Sequence, residues 1–410
     1  MVVCASGSHH SLFLDPLGSV WSCGNNEYGQ LGLGHNTKIL TLQKINNLPT
    51  IISVYAGDCF SLFIDANGSI WSCGNNQNGR LGLGDEKHRY VPEPIINLPK
   101  IISAIALGGS SIFLDCEGSV WACGYNKNGE LGLGHARNGH VPEKIGGLPK
   151  IKSIAGGWHH SLFLDSEGSV WACGYNTFGQ LGLGDTRNRH MAEKIGGLPK
   201  IKLITGGWHW SMLMDEAGNV WVCGGNKKGE LGLGHTIQIH SPIVNKNLFG
   251  VVAVAGGLGN YSVFLDKAGN IFTCGSNEDG QLGLGDKKDR HTPQKVNNIP
   301  PISSLSCCNA AVGYMQVVDE EGRVWSCGNN GHGQLGLDHR NQTLAFQLVK
   351  QPHKERAAIQ EAEQQKEEEK QLFKSIEQEQ NEQLMDKIKS GKHLHNVNKQ
   401  QAKQKIIDGG

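Results

Sequence analysis

The chain has 410 residues, including 57 Gly, 13 Pro and 12 Cys, and its 38 Lys and Arg balance its 38 Asp and Glu. Zero net charge argues against a broad nucleic-acid or acidic-membrane footprint, which needs a basic excess. No apolar run is long enough for a transmembrane helix, and Met1-Val2-Val3-Cys4-Ala5 lacks the basic start and apolar stretch of a signal peptide.

Of the 57 glycines, 54 precede residue 353, so this part reads as turn-dense β-structure. Cys-Gly pairs recur at positions 23, 73, 123, 173, 223, 274 and 327, a beat of 50 to 53 residues. Seven units in such register signal a repeat architecture.

Each unit predicts four strands. In the unit at 151–200 the first is Ile151 to Ala155, followed by a Gly156-Gly157 turn. The second, Ser161 to Asp165, is nearly all apolar and suits a strand covered on both faces. Asp165 to Gly168 predicts a tight hairpin, with Asp capping its own turn and Gly supplying a positive φ. The same Asp recurs at Asp15, Asp65, Asp115, Asp215, Asp266 and Asp319, each with Gly three residues later. The third strand is Ser169 to Cys173. A Gly-rich loop and a short fourth strand near Glu193-Lys194-Ile195 complete the unit.

Four antiparallel strands per unit, seven times over, predict an all-β fold: a seven-bladed β-propeller over 1–352. A single four-stranded blade has two apolar faces and covers them only by stacking in a ring. The third-strand aromatics (Trp21, Trp71, Trp121, Trp171, Trp221, Phe272, Trp325) are expected between blades, each contributing on the order of 2–3 kcal/mol by burial. For ring closure the expectation is an offset: each blade takes its first strand from the next unit, so that the N-terminal strand completes blade seven.

From His353 the composition becomes rich in Glu, Gln, Lys and Ala. It predicts a C-terminal α-helical tail over 353–390, with weak coiled-coil character and weak self-association, and a disordered end over 391–410. The tail's basic and acidic residues balance, so it is not a nucleic-acid arm.

The repeated GxHHSLFLDxxGxVWxCGxNxxGQLGLG resembles the repeat of the regulator of chromosome condensation family over about residues 1–350. The resemblance implies a seven-bladed propeller, in agreement with the strand count. One member of that family exchanges guanine nucleotide on the small GTPase Ran through a hairpin wedge inserted in a blade. The even spacing here leaves little room for an insertion. The expected function is therefore a non-catalytic protein–protein interaction scaffold. The alternative is a guanine-nucleotide exchange factor for a Ran-like small GTPase. The partner is expected to be a protein, with no nucleic acid and no membrane.

Strand alternation puts the GGWHH turns and the long Gly-rich loops on one face, called the top, where partners are expected. There Trp158, His159, Trp208, His209 and Trp210 are the partner-binding candidates. The Trp residues are also expected to fill the mouth of the central shaft. The plant ultraviolet-B receptor is similar in its Trp clusters, but it places Arg beside them where this chain has His159 and His209. The cation–π chemistry implied by that resemblance is thus missing from the sequence.

No cofactor, metal or catalytic constellation is expected. The GQLGLG loops lack the Lys and Ser/Thr of a phosphate-binding loop. The cysteines contain no CxxC pair and are read as reduced, buried thiols of an intracellular protein, cytoplasmic or nuclear. His35, His135 and His235 fall in non-neighbouring blades, and His140, His190, His240 and His291 lie about 10 Å apart by sheet spacing, too far for one metal. His10 and His160 are expected to hydrogen-bond the turns below them.

Overall fold

The hairpins organise the chain. In the computed structural model, which describes residues 3–305 and 313–350, each predicted Asp turn is formed. The Asp165 Oδ1 accepts the backbone N–H of Glu167 at 3.0 Å and of Ser169 at 2.7 Å. Gly168 sits at φ 88°, a value a side chain would resist. The same carboxylate reaches across the hairpin, its Oδ2 accepting the Trp171 indole N–H at 3.0 Å. Six blades share this Trp–Asp bond, at 2.8 to 3.3 Å. In the sixth blade Phe272 has no N–H to offer, and Asn270 Nδ2 takes the place at 2.8 Å from Asp266.

Seven antiparallel four-stranded sheets result, so the fold is a seven-bladed all-β propeller. Blade one runs from β1 (Val3–Ser6) at the shaft through β2 (His10–Leu14) and β3 (Val20–Gly24) to β4 (Ile39–Lys44) at the rim. Second strands are buried on both faces, as His160–Asp165 is throughout its length. Outer strands such as Arg189–Lys194 are exposed or half-buried.

The core lies between blades. Trp221 packs on a cluster of Leu162, Leu164, Val170, Ile195 and Leu213 from blades four and five. Trp21 lies with Cys4, Phe13 and Leu42 of blade one and Val318, Val324 and Val349 of blade seven. All seven third-strand cysteines are buried. Each thiol points at a carbonyl of the preceding blade, as Cys173 Sγ does at Glu130 O, 3.6 Å away. Burial pushes the thiols of blades one to six well above the usual range.

Two expectations are corrected. Blades are not offset: β1 pairs with β2, Val3 opposite Leu14, and blade seven begins with its own strand, Ile302–Ser304, opposite Asp319. A first strand three residues from its second pairs locally because that loop is the shortest to close. The ring instead closes through side-chain hydrogen bonds. Ser11 Oγ donates to Gln334 O at 2.7 Å, Tyr314 Oη to His10 O at 2.7 Å, and Ser6 Oγ to Gln316 Oε1 at 2.9 Å. Reduced thiols do not hold throughout: Cys4 in β1 is disulfide-bonded. The predicted tail, over 353–390 and 391–410, and the pair Cys307-Cys308 lie outside the described residues.

Candidate protein-binding face

The top face is built from two connections per blade. The first joins inner to second strand, and in blades four and five it reads Gly-Gly-Trp-His. In blade four, Gly157 N–H donates to His160 O at 3.0 Å, closing the turn and turning Trp158 toward the shaft mouth. A Cβ on Gly157 would meet the Gly207 carbonyl at 1.8 Å, so glycine is what lets neighbouring blades converge here.

The second connection is the long loop after the third strand, and a buried asparagine holds it. Asn176 Oδ1 accepts Leu181 N–H at 3.0 Å while its Nδ2 donates to Asp185 O at 3.0 Å. Asn26, Asn76, Asn126, Asn226, Asn277 and Asn330 accept the equivalent leucine N–H in the other blades. Sequence reasoning credited these loops to glycine and missed the clamp. The signal was present, since each Asn falls three residues after its Cys. Tyr175 N–H donates to His159 O at 2.8 Å and ties the two connections together.

On this frame the rings meet. Trp158 and Trp208 stack with centroids 5.3 Å apart and planes 27° apart. Trp158 meets His159 edge-on at 6.1 Å, and Tyr125 lies 5.6 Å from His159. Phe178 stacks on His209 at 4.5 Å, and Tyr175 lies 5.7 Å from His209. Seven rings thus run in contact over blades three to five. Sequence reasoning named four of them; Tyr125, Tyr175 and Phe178 stand on another loop and come to the cluster only in three dimensions.

Burial, then the neighbouring His159, holds His209 down at about 4. His159 Nδ1 lies 3.2 Å from Oε1 of Glu130, a fully buried carboxylate that also accepts the Asn128 N–H at 2.9 Å and amide at 2.8 Å. The His159–Glu130 approach is poorly aligned for a hydrogen bond, so we read it as proximity alone. Among the described residues, the cation–ring contacts are Arg80 over Phe60 and Arg323 over Trp325, both outside the cluster.

Trp158, His159, Trp208 and His209 are half-buried and present surface. Trp210 is a correction: it starts a second strand, is 0% exposed, and packs against Met212, Val254 and Phe264. Alternation along the strand sends it inward, and a Cβ on Gly207 or Gly256 would collide with its ring. It cannot touch a partner. His10 and His160 are corrected too. Their rings rest against Gly7 and Gly157 of the turns, but their Nε2 atoms lie 2.9 Å from Ser61 Oγ and Ser211 Oγ of the next blade, so the hydrogen bond crosses the seam. His35 Nδ1 accepts the Thr37 N–H at 3.1 Å, and His135 and His235 make the same bond within their own loops.

The model of the regulator of chromosome condensation repeat matches residues 18–64, 67–114, 117–164, 167–214, 268–311 and 321–355. Over 90 residues the chain is 40% identical to the secretion-regulating guanine nucleotide exchange factor of Bos taurus, which covers 21% of this chain and 18% of that protein. Over 82 residues it is 32% identical to the X-linked retinitis pigmentosa GTPase regulator of Mus musculus, 20% of this chain and 8% of that one. The matched stretches therefore span less than a fifth of either relative. Among solved structures, Prp20p of Saccharomyces cerevisiae superposes with a TM-score of 0.73 at 24% identity, covering 83% of this chain and 88% of that one. Human WBSCR16 gives 0.69 at 21%, with 76% and 85% covered. At these identities the superpositions show the fold.

Proposed function

Because this chain belongs to the regulator of chromosome condensation repeat family, we propose that it is a non-catalytic protein–protein interaction platform that works through its top face. One observation carries the reading: seven aromatic and imidazole rings in mutual contact, several half-exposed, on loops pinned to a rigid ring. Aromatic clusters with little freedom to lose are where binding energy concentrates. Proteins that share this fold have protein partners: Kap60 was solved bound to yeast RCC1 (Prp20), and Prp20p was studied for binding to Gsp1p and histones.

The second reading is nucleotide exchange on a small GTPase, favoured by the names of the relatives. Against it, all 28 strands among the described residues belong to blades, leaving none for an inserted hairpin. A mant-nucleotide release assay against a panel of small GTPases separates the two. No acceleration is expected, together with partner capture that Trp158→Ala, Trp208→Ala abolishes. Release at substoichiometric protein concentration would replace the platform by an exchange factor.

A further inference from the structure

The shaft opens at the top into a cavity of about 320 Å³, at the low end of the volumes that hold a small ligand. Its wall brings together two kinds of group. The stacked Trp158–Trp208 pair supplies π-faces, and Asp58, Glu278 and Asp279 supply carboxylates, while His9 is the one basic side chain in the lining and no Lys or Arg joins it. Glu278 is engaged by Lys228. The Asp58 carboxylate accepts the Cys59 thiol at 3.6 Å, and Asp279 the Asn329 amide at 3.2 Å. Among the described residues neither forms an ion pair. Arg80, outside the lining, has its guanidinium bonded to the backbone carbonyls of Asp58 at 3.2 Å and Gly108 at 3.3 Å, close enough for the Asp58 charge to act on it without forming an ion pair. Ser8 also lines the cavity; it is 3% exposed, and its hydroxyl has no hydrogen-bond partner among the described residues.

Indole faces, unpaired carboxylates and an orphaned buried hydroxyl converge on one chemistry. We propose that the mouth is a receptor for an arginine side chain offered by a protruding loop or terminus of a protein partner. The planar guanidinium stacks on the Trp pair and pairs with Asp279 and Asp58, which a neutral or acidic side chain cannot do. The proposal rests on the top face being the binding face, and it names what the partner must present.

The test titrates acetyl-Gly-Gly-Arg-Gly-Gly-amide and its Gln counterpart into the full chain, followed by tryptophan fluorescence and calorimetry. The Arg peptide is expected to bind with Kd on the order of millimolar, more weakly as salt rises, and the Gln peptide not to bind. Asp279→Asn should weaken binding about tenfold, and Trp208→Ala should abolish it, with urea midpoints checked for intact folding. Equal titration of both peptides, or of neither, would overturn the proposal. The two readings fail separately. A natural partner lost with Trp158→Ala, Trp208→Ala but retained by Asp58→Asn, Asp279→Asn leaves the platform standing and removes the arginine.

Discussion

Ser11 Oγ donates to the carbonyl of Gln334 at 2.7 Å across 323 residues of sequence. Ser61, Ser111, Ser161, Ser211 and Ser262 make the same bond to the preceding blade at 2.6 to 2.7 Å. The seam between blades one and seven is therefore joined as the other seams are. Ser11→Ala and Ser161→Ala should each lose about 1 kcal/mol of stability. Urea midpoints compare them; a silent Ser11→Ala beside a destabilised Ser161→Ala would mean that the terminal seam is open in solution.

The Trp–Asp hairpin bond has an internal control in Phe272, which fills the same place without an N–H. Trp171→Phe keeps most of the ring's packing and removes the bond to Asp165. A cost of roughly 1–2 kcal/mol is expected, as for a hydrogen bond to a charged acceptor. A double-mutant cycle with Asp165→Asn should return a coupling of about 1 kcal/mol.

His160 is fully buried, and burial, then the charges of His209 and His159, depress its pKa to about 3; His10 is likewise held at about 3, by burial and then His9. A histidine depressed on folding is a base that the unfolded chain protonates first. Its contribution is complete above its ordinary value of about 6.5 and is lost as pH falls toward the folded value. Between pH 7 and pH 4 each should withdraw on the order of 3 kcal/mol. His160→Phe, which copies Phe60 of blade two, should flatten that slope in urea titrations. Carboxylates such as Asp165 act in a lower window. Burial pushes Asp165 up, but the Trp171 indole and the Ser169 and Glu167 amides outweigh it and lower its pKa. Its stabilisation is present above about 3.8 and fades below.

Trp208 and Trp210 are two residues apart and should respond oppositely. Trp210→Ala empties a fully buried site and should cost about 3–5 kcal/mol. Trp208→Ala should cost under about 1 kcal/mol and act on binding instead. A thermal or urea unfolding comparison checks both, and a strongly destabilised Trp208→Ala would disqualify it as a surface probe.

Much of the fold was legible because its causes are local. The Asp–x–x–Gly turns, the two-faced second strands and the third-strand aromatics each follow from a few adjacent residues, and their beat of about 50 residues counts the blades. The histidines were misread for the opposite reason: that His160 reaches Ser211 depends on residues that meet only when blades stack.

The candidate face divides in the same way. Sequence by itself determined that Trp158, His159, Trp208 and His209 lie on turns of one face, since strand alternation sets the side on which a connection falls. Only the tertiary structure decided that Trp210 is interior, that Tyr125, Tyr175 and Phe178 join the rings, and that carboxylates from blades two and six share the mouth with the Trp pair. Strand direction is a property of the chain, whereas the distance between blades is set by packing around a common axis.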